Sequence, residues 1–214
     1  MSKSIAVLGL GKYGSSLADN LYEMGADVMV VDGKKETIQE FSEKATIAVV
    51  ADLANEEEVK ELGLSNMDIV VVTMGSDLAA SIICVMEAKE KGVPVVVAKA
   101  SSERMATILR KVGADRIVNP EKETGARTAR ILTSTSFLEF FAVDDNLCLV
   151  KMLPKEKWIG KNLKELNLRK KYKLNVVAVE DQDGRWSFID PDRPFTENMN
   201  ILAAIEKDDL KKIQ

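Results

Sequence analysis

Histidine is absent from this chain of 214 residues, and only two cysteines are present. The absence of histidine removes the commonest general base and the commonest metal ligand. Cys84 and Cys148 lie far apart, each inside an apolar run and without a CxxC pair, which argues against a zinc site. We expect both thiols to be small buried groups in a reducing cytosol rather than partners in a disulfide.

Long apolar runs and an excess of basic charge are also missing. No run approaches the roughly 20 residues that a membrane-spanning helix needs, and the start Met1-Ser2-Lys3-Ser4 leads into a predicted strand rather than a signal peptide. The formal net charge is −4, whereas nucleic-acid binders usually carry a basic excess. The sequence therefore predicts a cytoplasmic protein without a nucleic-acid partner, although residues 169–171 form a local basic patch.

What is present is a series of short, valine-rich apolar runs between residues 4 and 118. Continuous runs of this kind are typical of strands buried on both faces of a parallel sheet. The predicted strands are 5–8, 28–31, 47–50, 69–72, 95–98 and 116–118. Between them, apolar residues at helical spacing predict helices, as at Leu17, Leu21 and Met24, or at Ile82 and Met86. We therefore predict a Rossmann-type, doubly wound parallel α/β domain.

The pattern changes after residue 120. Pro120 opens a predicted helix that contains Ala129 and Leu132, and an apolar stretch follows at 137–141. This segment is too apolar for a solvated tether, so we interpret 120–140 as an interface element. Further strands are predicted at 148–150, 176–179 and 201–205, and Asp183-Gly184 is a hairpin signal. The predicted domains are therefore 1–140 and a small α+β domain over 141–214.

The most informative motif is Gly9-Leu10-Gly11-Lys12-Tyr13-Gly14, which follows the first predicted strand and opens the first predicted helix. In this setting Gly9 permits a tight turn, Gly11 lets the backbone approach a pyrophosphate, and Gly14 lets the helix pack on the sheet. The helix N-terminus offers free N–H groups to phosphates. Asp32, at the end of the second strand, could accept hydrogen bonds from a ribose diol and would repel a 2′-phosphate. The alternative is that the glycines serve only turns and packing.

Other strand ends face the same crevice, because ligands lie beyond the carboxyl ends of parallel strands. Asp52 and Gly75 could frame an adenosine, and Lys99 could reach a phosphate. Asp77 is equally consistent with a helix N-cap and a ligand. Lys12 lies beside the expected phosphate path, or is a solvated lysine at the helix start. Acid–base residues for a dehydrogenase are lacking, so we interpret the nucleotide as a signal rather than a reagent.

Together these residues resemble the RCK (regulator of potassium conductance, or KTN) domain family, most of all its KtrA/TrkA-type members. Beyond the glycine motif, the resemblance lies in residues 112–121, in Gly125, and in 159–191, which is similar to the TrkA-C domain. It implies homodimers that assemble into an octameric ring, docked on a membrane potassium channel or transporter of the KtrB/TrkH type. It also implies that ATP or ADP, and in some members NAD, binds at the glycine motif and gates ion flux.

The resemblance also implies particular site residues. For the nucleotide these are Gly9, Gly11, Lys12, Tyr13, Gly14, Asp32, Asp52, Leu53, Met74, Gly75, Lys99 and Glu121. Lys12 stands where arginine is frequent, and lysine keeps the charge without the planar fork. Glu121 matches a glutamate that takes part in divalent-cation binding between subunits, or it is simply a carboxylate at a helix start.

For the second domain, the resemblance implies cyclic di-AMP binding by some members at a dimer interface. The matching residues are Arg169, Asn175, Val176, Ile189, Pro191 and Asp192. The alternative is that Val176 and Ile189 are core strand residues. Two other functions stay open from the sequence: regulation of a cation/proton antiporter, and an NAD-dependent oxidoreductase with an atypical small domain.

Overall fold

In the computed structural model, which describes residues 2–134 and 136–213, the chain divides into two units between Lys122 and Glu123. This division falls before residue 140, where the sequence placed the boundary. The reason is that the apolar stretch after the helix is a strand of the second sheet, Phe137–Ala142, which pairs with Leu147–Met152.

The first unit is built on a six-stranded parallel sheet. Its strands are β1 (Ser4–Leu8), β2 (Asp27–Asp32), β3 (Ile47–Val50), β4 (Ile69–Val72), β5 (Val95–Lys99) and β6 (Arg116–Val118). Their order is β3-β2-β1-β4-β5-β6, so the chain reverses its direction of growth between β1 and β4. A crevice for a ligand opens at such a switch point, beyond the carboxyl ends of the strands. The predicted Rossmann-type fold is confirmed.

Helices cover both faces of this sheet. They are α1 (Lys12–Glu23), α2 (Lys35–Glu40), α3 (Glu56–Lys60), α4 (Leu78–Glu90) and α5 (Glu103–Lys111), and α6 (Pro120–Leu132) follows β6. Alternate strand residues enter two separate cores: Val7 packs with Phe41 of one core, and Leu8 lies in the other. Burial on both faces explains why the strands are continuous apolar runs.

Two methionines expected on buried helix faces are exposed instead. Met24 follows the end of α1 at Glu23 and is 80% exposed, and Met86 in α4 is 43% exposed. The buried face of α4 consists of smaller residues such as Cys84 and Ala88, because it packs closely beside the sheet.

The second unit contains a five-stranded antiparallel sheet in the order β10-β9-β11-β8-β7. Its elements are β7 (Phe137–Ala142), β8 (Leu147–Met152), α7 (Leu163–Leu166), α8 (Leu168–Tyr172), β9 (Asn175–Glu180), β10 (Trp186–Phe188) and β11 (Asn200–Glu206). The three predicted strands and the Asp183-Gly184 hairpin between β9 and β10 are confirmed, and the α+β class with them. A core around Trp158, Phe195 and the inward residues of β8 and β11 lies on one face of the sheet.

Helix α6 differs from the others in having no buried residue. Leu132, expected to be part of an apolar helix face, is 79% exposed, while Ile131 packs partly against the core of the second unit. The interpretation of 120–140 as an interface element stays a prediction.

Candidate nucleotide-binding site

The turn between β1 and α1 is closed by contacts that leave no room for side chains. Gly9 has φ +95°, in the left-handed region, and its amide donates to the Val31 carbonyl at 2.8 Å. A Cβ on Gly14 would lie 2.1 Å from the Gly9 carbonyl oxygen. Gly9 therefore makes the turn and Gly14 allows α1 to approach it, as the motif predicted.

Thr73, at the end of β4, fixes this turn from the neighbouring strand. Its buried hydroxyl lies 2.5 Å from the Gly9 carbonyl oxygen and 3.0 Å from that of Leu8. No role was predicted for Thr73, since a threonine after a strand can serve many purposes. The contact joins β1 and β4 at the switch point of the sheet.

Gly11 faces open space. It is the N-cap of α1 with an extended backbone and no side-chain cap, and a Cβ placed on it would meet nothing within 4 Å. The first amides of a helix lack partners within the helix, so the N-terminus of α1 presents N–H groups beside an unfilled surface. This is the arrangement that binds a phosphate.

Asp32 links the glycine turn to the end of β2. One carboxylate oxygen accepts from the Leu10 amide at 2.7 Å, and the other accepts from the Lys34 amide at 2.9 Å. The carboxylate thus orients the turn, while the ribose contact that the sequence predicted stays a prediction. Each oxygen keeps a second lone pair for a hydroxyl donor.

A second group of predicted residues meets around Lys99, at the end of β5. Its ammonium donates to Glu121 at 2.6 Å and lies 5.8 Å from the centre of the Tyr13 ring. Its aliphatic chain covers Gly75, where a Cβ would lie 3.1 Å from Lys99 Cε. The hydrogen bond from Lys99, together with the amide of Glu121 itself at the start of α6, lowers the pKa of the Glu121 carboxyl below its ordinary value. Lys99, Glu121, Tyr13 and Gly75 therefore form one polar cluster.

Other predicted residues have local partners. Asp52 accepts from the Ala54 amide at 2.9 Å, within a turn after β3. The side chain of Leu53 is 7% exposed and belongs to the hydrophobic core, so it does not offer a ligand surface. Asp77 is the N-cap of α4 and accepts from the Ala80 amide. Of the two interpretations of Asp77, the N-cap is the one observed.

Met74 and Lys12 lie next to the glycine turn. The Met74 sulfur is the nearest atom to the position of a Cβ on Gly9, at 2.9 Å. Lys12 is exposed as the first residue of α1. Met74 therefore closes one side of the turn, while Lys12 extends from it.

The six residues considered for cyclic di-AMP lie on several elements of the second unit. Arg169 is exposed on α8, Asn175 begins β9 and is exposed, and Asp192 pairs with Lys164 at 2.6 Å. Val176 and Ile189 are half-buried against the second core. Val176 is a strand residue of β9, as the simpler interpretation predicted, whereas Ile189 follows the end of β10 and is not part of a strand. Pro191 is exposed.

A cleft of about 680 Å³ in the second unit lies elsewhere, and none of these six residues lines it. Its lining is rich in carboxylate and amide groups: Leu153, Glu180, Asp181, Gln182, Gly184, Glu197, Asn198 and Asn200. Glu180 and Asp181 are engaged by Lys151 and Arg193, so the cleft is polar and not a basic pocket for phosphates.

Within residues 2–134 and 136–213, no three carboxylate or thiol side chains are grouped as they would be around a metal ion. Glu121 is paired with a lysine rather than with other carboxylates. In the same part of the chain, no helix combines the length and apolar character needed to cross a bilayer.

The fold and the site define a class: a Rossmann-type domain with a glycine-rich turn at its switch point, followed by a small α+β domain. Comparison with known families gives the same division. The TrkA-N domain family matches residues 5–120, and the TrkA-C domain family matches residues 149–214. The chain belongs to this family of TrkA-N and TrkA-C domain proteins.

Curated relatives of the chain are named as potassium uptake proteins. Ktr system potassium uptake protein C of Bacillus subtilis is 35% identical over 84% of this chain and 81% of its own length. Ktr system potassium uptake protein A of the same organism is 30% identical over 100% of this chain and 96% of its own length. Protein A of Vibrio alginolyticus is 36% identical, over 82% of this chain and 80% of its own length.

Solved structures share the fold at low identity. The GsuK RCK domain has a TM-score of 0.65 at 17% identity, covering 100% of this chain and 47% of that one. The GsuK channel bound to NAD has a TM-score of 0.66 at 16% identity, covering 98% of this chain and 38% of that one. This chain thus spans less than half of those channel chains.

Proposed function

We propose that this chain is a cytoplasmic regulatory subunit that binds an adenine nucleotide, ATP or ADP with NAD as a further ligand, and thereby gates a membrane potassium uptake channel or transporter. The observation that carries the proposal is the open N-terminus of α1 at Gly11, bordered by Asp32 on one side and by the Lys99 cluster on the other. The names of the Ktr relatives supply the transport system.

The phosphates are expected over the amides of the glycine turn. The α1 N-terminus supplies N–H donors and a partial positive charge, and Gly11 lets the phosphate chain come close because it has no side chain. Lys99 supplies a full charge from a side chain that is only 14% exposed. A cation in this setting is less screened by water than one on the surface.

The ribose is expected at Asp32. Its carboxylate is held by two backbone amides, so the oxygens are already oriented when a diol arrives, and little ordering cost accompanies binding. A 2′-phosphate would meet the same negative charge, so NADP is disfavoured. ATP, ADP and NAD all carry an adenosine with a free diol.

A regulatory role fits the side chains around the candidate nucleotide site better than an enzymatic role does. No histidine exists in the chain, and two titratable side chains beside the turn are already engaged: Asp32 with two amides, and Lys99 with Glu121. We therefore propose that the nucleotide acts as a signal. The subunit would act in homodimers of an octameric ring, peripheral to the membrane through a KtrB/TrkH-like partner.

Two finer assignments belong to the same proposal. Glu121 would take part in holding a divalent cation near the phosphates, in which case it must leave Lys99. In the second unit, Arg169, Asn175, Val176, Ile189, Pro191 and Asp192 would bind cyclic di-AMP; the exposed guanidinium of Arg169 supports a phosphate contact.

The test is calorimetry with ADP and with 2′,3′-dideoxy-ADP on the native chain and on Asp32→Ala. ADP binding should weaken by more than about tenfold in the variant, since a charged hydrogen bond contributes about 1.5–3 kcal/mol. The dideoxy compound should bind the two proteins almost equally. Asp19→Ala, an exposed carboxylate of α1 paired with Lys44, is the matched control. Equal affinities for ADP in all three proteins would reject the site, and steady turnover of NADH with a substrate would reject the regulatory role.

A further inference from the structure

Positive charge is concentrated in one segment of the second unit. Residues 155–173 contain eight lysines and arginines and two glutamates, in a chain whose net charge is −4. The basic residues are Lys155, Lys157, Lys161, Lys164, Arg169, Lys170, Lys171 and Lys173. We call this set the basic face. Nothing in the nucleotide site uses it, since that site lies in the first unit.

Helix α8 directs part of the basic face outward. Leu168 is buried and Tyr172, four residues later, is half-buried against the second core. Residues one turn apart share a helix side, so these two define the inner side of α8. Arg169, Lys170 and Lys171 occupy the remaining arc and are all exposed.

Two further lysines meet the end of this helix. Lys157 Nζ lies 5.1 Å from the centre of the Tyr172 ring. Lys155 is half-buried nearby, and burial, together with the charge of Lys157, lowers the pKa of its ammonium. The ammonium groups of Lys155 and Lys157 repel each other, and a bound anion near both of them would reduce that repulsion.

Carboxylates within the protein neutralise little of this charge. Lys164 pairs with Asp192, and Glu165 uses its side chain to cap the Asn162 amide. Elsewhere in the described residues, ion pairs engage cations such as Lys60, Lys89 and Arg193. No carboxylate of the described chain forms an ion pair with Lys161, Arg169, Lys170, Lys171 or Lys173.

We propose that the basic face binds the phosphate headgroups of an anionic membrane surface. The basic residues are exposed at several points along residues 157–173, which suits an extended layer of phosphates rather than one small ligand. Clusters of four to eight basic residues are typical of such binding, and each lysine or arginine near the surface adds to the affinity. The inference is independent of the nucleotide site, and the basic face shares only Arg169 with the residues proposed for cyclic di-AMP.

Nucleic acid is the less favoured polyanion. Binding of single strands relies on exposed aromatic rings on which bases stack. The aromatic residues of this segment are Trp158, which is buried, and Tyr172, whose ring packs edge-on to Trp158 with Lys157 beside it. The face thus offers charge without stacking surfaces.

The experiment is sedimentation of the full chain with vesicles of phosphatidylcholine alone or mixed with phosphatidylglycerol, at low and high salt. The test variant changes Lys161, Lys170, Lys171 and Lys173 to Gln, leaving Arg169 intact. The control variant changes four exposed lysines outside the basic face to Gln, namely Lys3, Lys91, Lys111 and Lys211. Both variants change the formal net charge from −4 to about −8, since each removes four lysines.

We expect binding only to the phosphatidylglycerol vesicles, a loss of binding at high salt through screening, and a partition coefficient at least about tenfold lower for the test variant. The control should bind as the native chain does. Equal losses in the two variants, or no binding of the native chain to anionic vesicles, would overturn the proposal. So would tighter binding to duplex or single-stranded DNA than to the vesicles at the same salt.

Discussion

Lys99 and Glu121 form an ion pair of 2.6 Å in which the lysine is 14% exposed and the glutamate is 66% exposed. The cation is thus fixed within the site, while its partner reaches it from the solvent side at the start of α6. A phosphate that arrives over the glycine turn would compete with Glu121 for the same ammonium group. If the proposed nucleotide binds there, its binding and the position of the α6 N-terminus would be linked through one lysine.

This competition predicts opposite effects for the two partners. In EDTA, Glu121→Gln should tighten ADP binding by roughly threefold to fivefold, since a partly exposed ion pair contributes up to about 1 kcal/mol. Lys99→Met should weaken it by more than about tenfold through loss of the charged contact. Calorimetry measures both. Glu103→Gln, which removes the exposed Glu103–Lys122 pair, should leave the affinity unchanged; weaker binding by Glu121→Gln in EDTA would contradict the competition.

Substitutions at Gly14 and Gly11 should have different effects: the first should lower stability, and the second should lower nucleotide affinity. Gly14→Ala places a Cβ against the Gly9 carbonyl oxygen, and overpacking of this kind costs about 1–3 kcal/mol or more. Gly11→Ala meets no atom of the protein and should keep the native melting temperature. The Gly11 variant should nevertheless lose ADP affinity, because its methyl group would occupy space intended for a phosphate. Thermal melting with and without ADP measures both effects.

The opposite ranking would show that the glycines serve a different purpose. If Gly11→Ala bound ADP with native affinity, the phosphates would not lie over the α1 N-terminus, and the motif would serve only turns and packing. If Gly14→Ala melted at the native temperature, α1 would not approach the turn as closely as the Gly14–Gly9 contact indicates.

Thr73 should stabilise the turn through its hydroxyl. Thr73→Val keeps the shape of the side chain and removes the donor to the Gly9 and Leu8 carbonyls. Since a buried acceptor then loses its partner, the free energy of unfolding should fall by about 1–3 kcal/mol. Urea denaturation measures this. Thr133→Val, whose exposed hydroxyl bonds within its own helix, is the control and should change stability little.

The sequence predicted the first unit well because its central strands, β2, β1 and β4, are buried on both faces. A strand of that kind must be apolar throughout, so each run identifies a strand without ambiguity about its exposed side. The glycine motif was equally informative, since Gly9 and Gly14 are each required by a specific backbone contact.

Contacts between distant residues were not predictable in the same way. Lys99 and Glu121 were each assigned to the nucleotide, but they are 22 positions apart and their pairing depends on the path of the chain between them. The role of Thr73 depends on a neighbouring strand 64 residues earlier. Both contacts depend on the order of the strands in the sheet, and this order could not be predicted from the residue types alone.

Strand β7 was missed because its pattern resembles that of a helix. Its buried residues, Phe137 and Phe140, are three positions apart. An irregularity in the pairing with β8 between Phe137 and Glu139 breaks the period of two. A bulge of this kind shifts side chains to the other face, so alternation could not reveal the strand.

The thiol of Cys84 gives a prediction about pH. Burial on the inner face of α4 raises the pKa of this thiol to about 12, with smaller contributions from the negative charges of Asp77 and Glu87. Burial also raises the pKa of Cys148. Since the thiolate is the reactive form, both thiols should resist a disulfide reagent such as DTNB at pH 8 while the chain is folded.

The same residues should react rapidly once the chain is unfolded, because an exposed thiol has a pKa of about 8.5. The rise in pKa also sets the sign of the linkage: the folded state holds the thiol protons more tightly, so this contribution to stability is full below the unfolded pKa and declines as pH rises above it. DTNB kinetics in increasing urea at pH 8 should therefore follow the unfolding transition. A fast reaction of either thiol in native buffer would show that the cores around α4 or β8 open without unfolding of the unit that contains them.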